Sequence, residues 1–325
     1  MTKKRLAIIG SGNIVKFHVP AMRRAGFKVV SCCSSYKSLA AIEFAKKYDI
    51  PKVYDSYKDL IDNESEWDAL LIAISVEPTL KVLKEFIDMG KPILVEKPVS
   101  ISSSLIDELK KQTRHIQVAY NRRFYNSVDY AKKFISTNPN CLIKMYLPDN
   151  IDFSISRHAQ DYMRVKENSV HGLDILNYLV PKMKLQHVDE YKQPNSTYGK
   201  VALLSSVSGH KCMIFLNWNA PSNFSLEIDS LPYRLELKPF ERYSLFKGME
   251  VIEPTESYPV RQYVPRIIES GTVFDKIKEF KPGFLTQSEE FMKLVEGKES
   301  KISANLNDAY NAIKLAEDIL NFKCH

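Results

Sequence analysis

The sequence predicts an α/β protein: a Rossmann dinucleotide-binding domain, then a second α/β domain with a large, mostly antiparallel open sheet. Up to about residue 140, continuous apolar strands alternate with helical segments, which is typical of a parallel sheet covered on both faces. A glycine pair separates the first strand from the first helix. After about residue 140, strand-like runs follow one another with little helix between them, which indicates antiparallel pairing with one covered face.

The elements of the first part follow from local composition. Apolar and β-branched runs predict the strands, while Pro20 suits the first turn of its helix and Gly26 and Gly90 suit C-terminal caps. The predicted strands are 5–10, 28–34, 52–56, 68–75, 92–98 and 115–120. The predicted helices are 19–26, 38–50, 77–91, 104–112 and 127–136.

The second part is dominated by runs in which polar and apolar residues alternate. Residues 258–266, "YPVRQYVPR", carry aromatics and arginines without a strong secondary-structure pattern, and we interpret them as a loop that could face substrate. The predicted strands are 141–147, 198–209, 211–219, 224–230, 233–239 and 241–248. The predicted helices are 169–180, 285–297 and 305–322.

Composition excludes several classes of protein. The chain has 325 residues, 44% of them hydrophobic, which suits two globular domains. A net charge of +7 without a basic stripe or a known module argues against nucleic-acid binding. The amino-terminal apolar run is short and ends at Gly10, and no stretch is apolar enough to span a membrane, so we expect a cytoplasmic protein.

The cysteines do not indicate a disulfide framework or a metal site. There are 5, an odd number, and none are spaced as CxxC. Cys32 and Cys33 are interpreted as space-filling residues at a strand end. We therefore predict no bound metal.

The stretch "IIGSGNIV" places Gly10 and Gly12 between the first strand and the first helix. Glycine there permits a tight turn and lets backbone N–H groups approach a pyrophosphate at the helix N-terminus. Val15 replaces the third small residue of the usual fingerprint. An ordinary glycine turn is the alternative, but the position in the first βαβ unit favours dinucleotide binding.

The end of the second strand bears on which cofactor is bound. NAD sites usually place an acid there for the ribose 2′-hydroxyl, whereas this chain has Ser34, with Ser35 and Lys37 close by. Hydroxyls and a lysine would accept a 2′-phosphate, so the pattern favours NADP, with NAD possible. Serines that merely lie in a polar loop are the alternative interpretation.

Two further signals are compatible with catalysis. Lys97 leaves the carboxyl end of the strand "PILVEKP", so its amine is expected to point into the cofactor crevice, although a surface charge is the alternative. His171 and Asp174 are three residues apart on a predicted helix and share one face. A histidine that only packs or is exposed is the alternative there.

Together these segments resemble the glucose–fructose oxidoreductase, inositol dehydrogenase and rhizopine catabolism protein (Gfo/Idh/MocA) family. The resemblance spans nearly the whole chain, and Glu96-Lys97-Pro98 is its most specific element. Residues 280–297 resemble the late segment of members that act on sugars and nucleotide-linked sugars. The segments that carry the resemblance are "GSGNIV", "DALLIAIS", "GKPILVEKP", "AYNRRF", "VHGLDILNYL" and "FKPGFLTQSEEFMKLVEG".

The resemblance implies a Rossmann domain at residues 1–122 and a substrate-binding and oligomerisation domain at 123–325, with a C-terminal helix able to pack back on the first. A homodimer or homotetramer is expected. Lys97 would orient the substrate hydroxyl, and His171 would act as the general acid/base. Cofactor contacts are expected from Gly10, Gly12, Asn13, Ile14, Ser34, Ser35, Lys37, Ser75, Glu96, Lys97 and Pro98. Substrate contacts are expected from Arg123, Glu167, Asn168 and Asp174.

Two departures from the family pattern bear on the site. Many members carry an aspartate four residues before the histidine, but this chain has Glu167 followed by Asn168. Either the site is rearranged or Asn168 takes the contact. The usual histidine after the fourth strand is also missing, since the segment reads "SVEPTLKV".

The pair Arg122 and Arg123 has two interpretations. The guanidinium groups could hold an anionic substrate group such as a carboxylate or diphosphate, or they could form salt bridges that tie the domains together.

The main hypothesis is an NAD(P)-dependent oxidoreductase that interconverts a secondary alcohol and a ketone on a sugar or nucleotide-linked sugar. A non-catalytic sugar or cofactor sensor that keeps the fold is the alternative; the substitution at Glu167 favours it mildly, and retention of Lys97 and His171 opposes it. A third possibility is an enzyme that keeps its cofactor bound through transient redox steps.

Overall fold

A computed structural model describes residues 3–111, 114–150, 165–192, 198–275 and 278–322 of the chain. The chain divides into two compact units. The first unit contains Met1–Phe124 and Lys278–Glu317, and the second contains Tyr125–Ile277 and Asp318–His325. Each unit is built around its own sheet.

The first unit is a Rossmann fold, as the sequence predicts. Its 6-stranded sheet is parallel throughout, with the order β3-β2-β1-β4-β5-β6 that is typical of dinucleotide-binding domains. The strands are β1 Arg5–Ile9, β2 Lys28–Cys33, β3 Lys52–Val53, β4 Ala69–Ile72, β5 Ile93–Val95 and β6 Ile116–Val118. The residues of β4 and β5 are all buried, which explains their uninterrupted apolar sequence.

The helices follow the predicted order. Among the described residues, no helix is long and apolar enough to cross a membrane. The helices are α1 Val15–Arg24, α2 Leu39–Lys47, α3 Tyr57–Asp62, α4 Val76–Ile87, α5 Ser103–Asp107, α6 Asn126–Thr137, α7 Val170–Leu179, α8 Phe284–Val295 and α9 Leu306–Leu320. The short α3 was not predicted from the sequence; Ser56 and Asp59 start it with a reciprocal capping box.

Helix α1 begins earlier than predicted. Pro20 lies inside the helix rather than in its first turn, because Ile14 caps the helix directly after the glycine turn and the buried face starts at Val15. The prediction for its other end is confirmed. Gly26 has φ +104°, and the N–H groups of Gly26 and Phe27 donate to carbonyls of the last turn at 3.2 and 3.0 Å.

The second unit contains the large, mostly antiparallel sheet that the sequence predicts. Its 8 strands have the order β14-β13-β12-β11-β7-β10-β9-β8, and only the β7–β10 pair is parallel. The strands are β7 Leu142–Tyr146, β8 Lys184–Lys192, β9 Tyr198–Ser205, β10 Lys211–Leu216, β11 Ser225–Ser230, β12 Tyr233–Leu237, β13 Arg242–Ile252 and β14 Gln262–Thr272. Ile143, Met145, Cys212, Ile214 and Leu216 are buried at alternate positions, as expected for one covered face.

The sequence pattern predicted neither of the two edge strands of this sheet. The interpretation of residues 258–266 as a loop is wrong from Gln262 onward, where β14 begins, and β8 was not predicted. Both strands lie at the sheet edges and have many polar or exposed residues. Backbone pairing with β13 and β9 fixes them, rather than burial of an apolar face.

The buried cysteines are free thiols, consistent with space-filling roles. Cys32, Cys33, Cys141 and Cys212 are buried and unpaired. Burial raises the pKa of Cys32 to about 11 and, together with nearby negative charge, that of Cys33 to about 12, so both stay protonated at neutral pH.

Candidate cofactor site and catalytic residues

The turn between β1 and α1 requires glycine at its first position. Gly10 has φ +123°, and its N–H donates to the Cys33 carbonyl at 2.8 Å. A Cβ atom there would lie 2.1 Å from the Ala73 carbonyl oxygen, so only glycine lets the turn pass this close to the end of β4. A Cβ atom at Gly12 would meet no atom within 4 Å, because that position faces open space.

That open space is a cavity of about 630 Å³ at the carboxyl edge of the sheet. Its volume lies in the usual range for cofactor sites. It fits a dinucleotide because the exposed backbone of Gly12 and the start of α1 line it, where anionic phosphates are favoured. Six of the predicted cofactor residues line the cavity: Gly10, Gly12, Ile14, Ser34, Ser35 and Ser75.

One end of the cavity carries hydroxyl groups. Ser34 is half-buried where a carboxylate would select NAD, and Ser35 is exposed. Tyr36, Ser56 and Tyr57 also line this end. These three were not predicted as site residues. Asn13 and Lys37 are exposed and are not among the described lining residues; the Lys37 ammonium lies 5.2 Å from the centre of the Tyr36 ring.

Glu96 links the segment after β5 to helix α1. His18 is completely buried on α1, and its Nε2 lies 2.7 Å from Glu96 Oε1. The other carboxylate oxygen, Oε2, accepts the backbone N–H of Lys97 at 3.1 Å. The predicted trio Glu96, Lys97 and Pro98 thus follows β5 with Glu96 and Pro98 buried and Lys97 half-buried. His18 was not predicted, because a buried histidine inside a helix gives no sequence signal of its partner.

Helix α7 of the second unit carries the predicted acid/base residue. His171 and Asp174 are 6% and 1% exposed and lie about one turn apart on this helix. Gly172 lets the helix approach Leu147, the residue directly after β7, since a Cβ atom there would lie 2.4 Å from the Leu147 side chain. A histidine in such a packed setting is held in one orientation, which suits a proton-transfer group.

A polar cluster precedes α7 in a π-helical turn, Val165–Ser169. Asn168 Nδ2 donates to Asp149 Oδ1 at 2.6 Å, and the Ser169 hydroxyl donates to the other oxygen of the same carboxylate. Asp149 is 3% exposed and was not predicted. Asn168 therefore binds a neighbouring aspartate, whereas Glu167 is half-buried beside it.

Arg123 occupies a structural position within the first unit. It is 4% exposed, and its guanidinium lies 3.2 Å from the Asp308 carboxylate on α9. Arg122, next to it, is half-buried. The pairing of Arg123 gives it a role in holding α9; its predicted contact with substrate stays a prediction.

Comparison with known proteins gives one family and several relatives. Residues 4–122 match the GFO_IDH_MocA family, described as "Oxidoreductase family, NAD-binding Rossmann fold". The inositol 2-dehydrogenase of Klebsiella pneumoniae (strain 342) is 27% identical over 186 residues, which are 54% of this chain and 54% of that protein. The match thus spans about half the length of this relative.

Solved structures with the same fold cover both units. Levoglucosan dehydrogenase in complex with NADH and L-sorbose has a TM-score of 0.76 at 13% identity, covering 98% of this chain and 96% of that one. UDP-N-acetylglucosamine 3-dehydrogenase GnnA from Acidithiobacillus ferrooxidans has a TM-score of 0.72 at 13% identity, covering 98% and 97%. At this level of identity the likeness establishes the fold.

Proposed function

Because the chain belongs, through residues 4–122, to the Gfo/Idh/MocA family of oxidoreductases with an NAD-binding Rossmann fold, we propose that it interconverts a secondary alcohol and a ketone on a sugar or nucleotide-linked sugar. The observation that carries the proposal is the cavity over Gly12, which lies at the carboxyl ends of β1, β2 and β4. Lys97 follows β5, which pairs with β4 in the same parallel sheet. The names of the relatives, which act on an inositol, levoglucosan and a nucleotide-linked sugar, support this substrate class.

We assign different steps of the reaction to different residues of this chain. A bound nicotinamide cofactor would exchange a hydride with the substrate carbon. We assign to Lys97 the orientation of the reacting hydroxyl and the stabilisation of its oxygen as the proton leaves. We assign to His171 the transfer of that proton, because an imidazole titrates near neutral pH. Asp174, Glu167, Asn168 and Arg123 stay candidates for substrate contact.

The cofactor preference follows from the hydroxyl-lined end of the cavity. We propose that NADP is bound in preference to NAD, because Ser34 and Ser35 can donate to a 2′-phosphate that an aspartate would repel. Introducing Ser34→Asp is expected to lower NADPH affinity by at least about tenfold, which is 1.4 kcal/mol, and to leave NADH affinity unchanged or higher. Fluorescence titration with NADPH and NADH measures both constants.

A charge control separates this effect from a general loss of positive potential. Ser104→Asp adds the same charge on the exposed face of α5, away from the cavity lining, and should leave both affinities unchanged. Equal NADPH affinities for Ser34→Asp and the unaltered protein would contradict the NADP assignment. Failure of the unaltered protein to bind either NADPH or NADH would contradict the proposed function itself.

The open face of the second sheet is a candidate surface for self-association. Leu142 and Leu203 are each 38% exposed on the face opposite the core, and Tyr146 stacks on Phe215 there with ring centres 4.7 Å apart. Apolar groups of this kind favour burial against another surface. We propose a cytoplasmic homodimer or homotetramer that packs through this face, and a monomeric mass in sedimentation equilibrium would contradict the assembly.

A further inference from the structure

A fully buried histidine on α1 contacts the segment that follows β5. His18 is completely buried, and its Nε2 lies 2.7 Å from Oε1 of Glu96, which is 8% exposed. Both residues belong to the first unit. Buried polar side chains of this kind are costly to keep unless they form a specific contact. The proton transfer assigned to His171 and the cofactor preference assigned to Ser34 leave this pair without a role.

Packing and backbone hydrogen bonds hold the two partners in place. The His18 ring packs on Phe284, the first residue of α8, with ring centres 4.8 Å apart. The backbone N–H of Glu96 donates to the Ile72 carbonyl at 2.8 Å, at the carboxyl end of β4. Because the helix fixes the backbone of His18 and the sheet fixes that of Glu96, the orientation of the Glu96 side chain depends on its own contacts.

The Glu96 carboxylate connects His18 to Lys97. Its Oε1 faces the imidazole, and its Oε2 accepts the backbone N–H of Lys97 at 3.1 Å. A carboxylate only accepts, so the bond from His18 requires the tautomer with a proton on Nε2. The other ring nitrogen, Nδ1, is buried and has no hydrogen-bond partner in the part of the chain that the structure describes. The one directed bond that Nε2 makes therefore selects the rotamer of Glu96 that reaches Lys97.

We propose that His18 is a positioning residue for the reaction: through Glu96 it fixes the backbone of Lys97, and hence the direction in which the Lys97 ammonium leaves the sheet. This inference rests on the proposed function and assigns a role to a residue that is fully buried and does not line the described cavity. A displacement of about 1 Å can lower a rate about 10²-fold. A loosened Lys97 should therefore slow turnover without weakening the binding of cofactor or substrate.

The first test compares two substitutions of His18 in the full chain. Phenylalanine keeps a ring against Phe284 but cannot donate to Glu96, so turnover of His18→Phe should fall at least about tenfold. Glutamine places an amide N–H near the position of Nε2, so His18→Gln should stay within about threefold of the unaltered protein. The NADPH dissociation constant and the substrate KM should change by less than about twofold in both variants. Fluorescence titration and steady-state kinetics with a panel of nucleotide-linked and free sugars measure these quantities.

A matched histidine provides the control. His115 directly precedes β6 in the same unit, and its Nε2 lies 2.9 Å from the Ile87 carbonyl, at the amino edge of the sheet. His115→Phe should leave turnover within about twofold. Glu96→Gln is the second variant: its single acceptor oxygen can serve His18 or the Lys97 N–H but not both, so turnover should again fall at least about tenfold.

A double-mutant cycle shows whether His18 acts through Lys97. In a Lys97→Met background, His18→Phe should change the single-turnover rate by less than about twofold, because the group that it positions is already absent. Crystal structures give a readout that needs no substrate: the Lys97 Nζ should move by about 1 Å or more in His18→Phe and keep its place in His18→Gln.

Four results would overturn the proposal. They are equal turnover in His18→Phe and His115→Phe, unaltered turnover in Glu96→Gln, a loss of NADPH affinity in His18→Phe as large as its loss of turnover, and a full additional loss when His18→Phe is combined with Lys97→Met. Failure of the unaltered protein to turn over any sugar of the panel would instead contradict the proposed function.

Discussion

Replacing Lys97 by methionine is expected to lower turnover by a factor of roughly 10² to 10⁴, while the affinity for NADPH changes by no more than about threefold. Methionine keeps much of the apolar stem of the half-buried lysine but removes the ammonium. The loss should therefore fall on the rate constant rather than on binding. Steady-state kinetics with a panel of nucleotide-linked and free sugars, together with cofactor titration, separate the two quantities.

A lysine at the other end of the same strand provides the matched control. Lys91 precedes β5, and its ammonium donates to the Trp67 carbonyl at 3.0 Å, on the amino edge of the sheet. Lys91→Met should retain turnover within about twofold, even if it costs some stability. Normal turnover in Lys97→Met would remove Lys97 from the mechanism.

The same assay tests His171, to which we assign the proton transfer. His171→Ala should lower turnover by about 10² or more and remove one limb of the pH–rate profile, because a general acid/base contributes its own ionisation to that profile. If His171 only fills space, the rate falls without a change in the shape of the profile. Single-turnover reduction of bound NADP⁺ by any sugar of the panel would also exclude the non-catalytic sensor.

Gly10→Ala is expected to destabilise the first unit by about 4 kcal/mol. Roughly 1–3 kcal/mol comes from holding alanine at φ +123°, and a similar amount comes from the clash of its Cβ with the Ala73 carbonyl. Urea unfolding followed by the fluorescence of Trp67 measures this change, because Trp67 is buried in the first unit. A Trp218→Phe background leaves Trp67 as the only tryptophan of the 2 in the chain.

Gly12→Ala is the contrasting variant in the same turn. Its new methyl group meets no protein atom within 4 Å, so the free energy of unfolding should change by less than about 1 kcal/mol. The methyl would instead occupy space that the cofactor needs and lower its affinity by about tenfold. Similar losses of stability at both positions would contradict the open space at Gly12. Unaltered cofactor binding in Gly12→Ala would show that the turn does not approach the ligand as proposed.

The sequence was sufficient for the fold because its signals are local and repeated. The alternation of apolar strands and helices defines the parallel sheet, and the glycine pair marks the junction at which the cavity forms. Hydrophobic periodicity did not predict β14 and β8, whose residues are largely polar or exposed. These strands are formed by backbone hydrogen bonds to a neighbouring strand rather than by burial of an apolar face.

The site was only partly predictable for a related reason. Motifs single out residues such as Gly12, Ser34 and Lys97, whose chemistry is visible one position at a time. His18 and Glu96 are 78 positions apart, and their contact exists only once the chain has folded. Asp149 accepts a hydrogen bond from Asn168, and the sequence around Asp149 likewise gives no sign of this contact.

The interleaved chain path of the two units has a consequence for proteolysis. The backbone passes between them three times, after Phe124, after Ile277 and after Glu317. A single cut at any one of these crossings gives two fragments, and neither fragment corresponds to one of the units, because each unit is built from two separate stretches of the chain. Limited digestion therefore cannot release either unit by itself in one cut. An isolated amino-terminal fragment ending at Phe124 would also lack α8, leaving Phe27 without the ring of Phe291 that stacks on it at 5.6 Å.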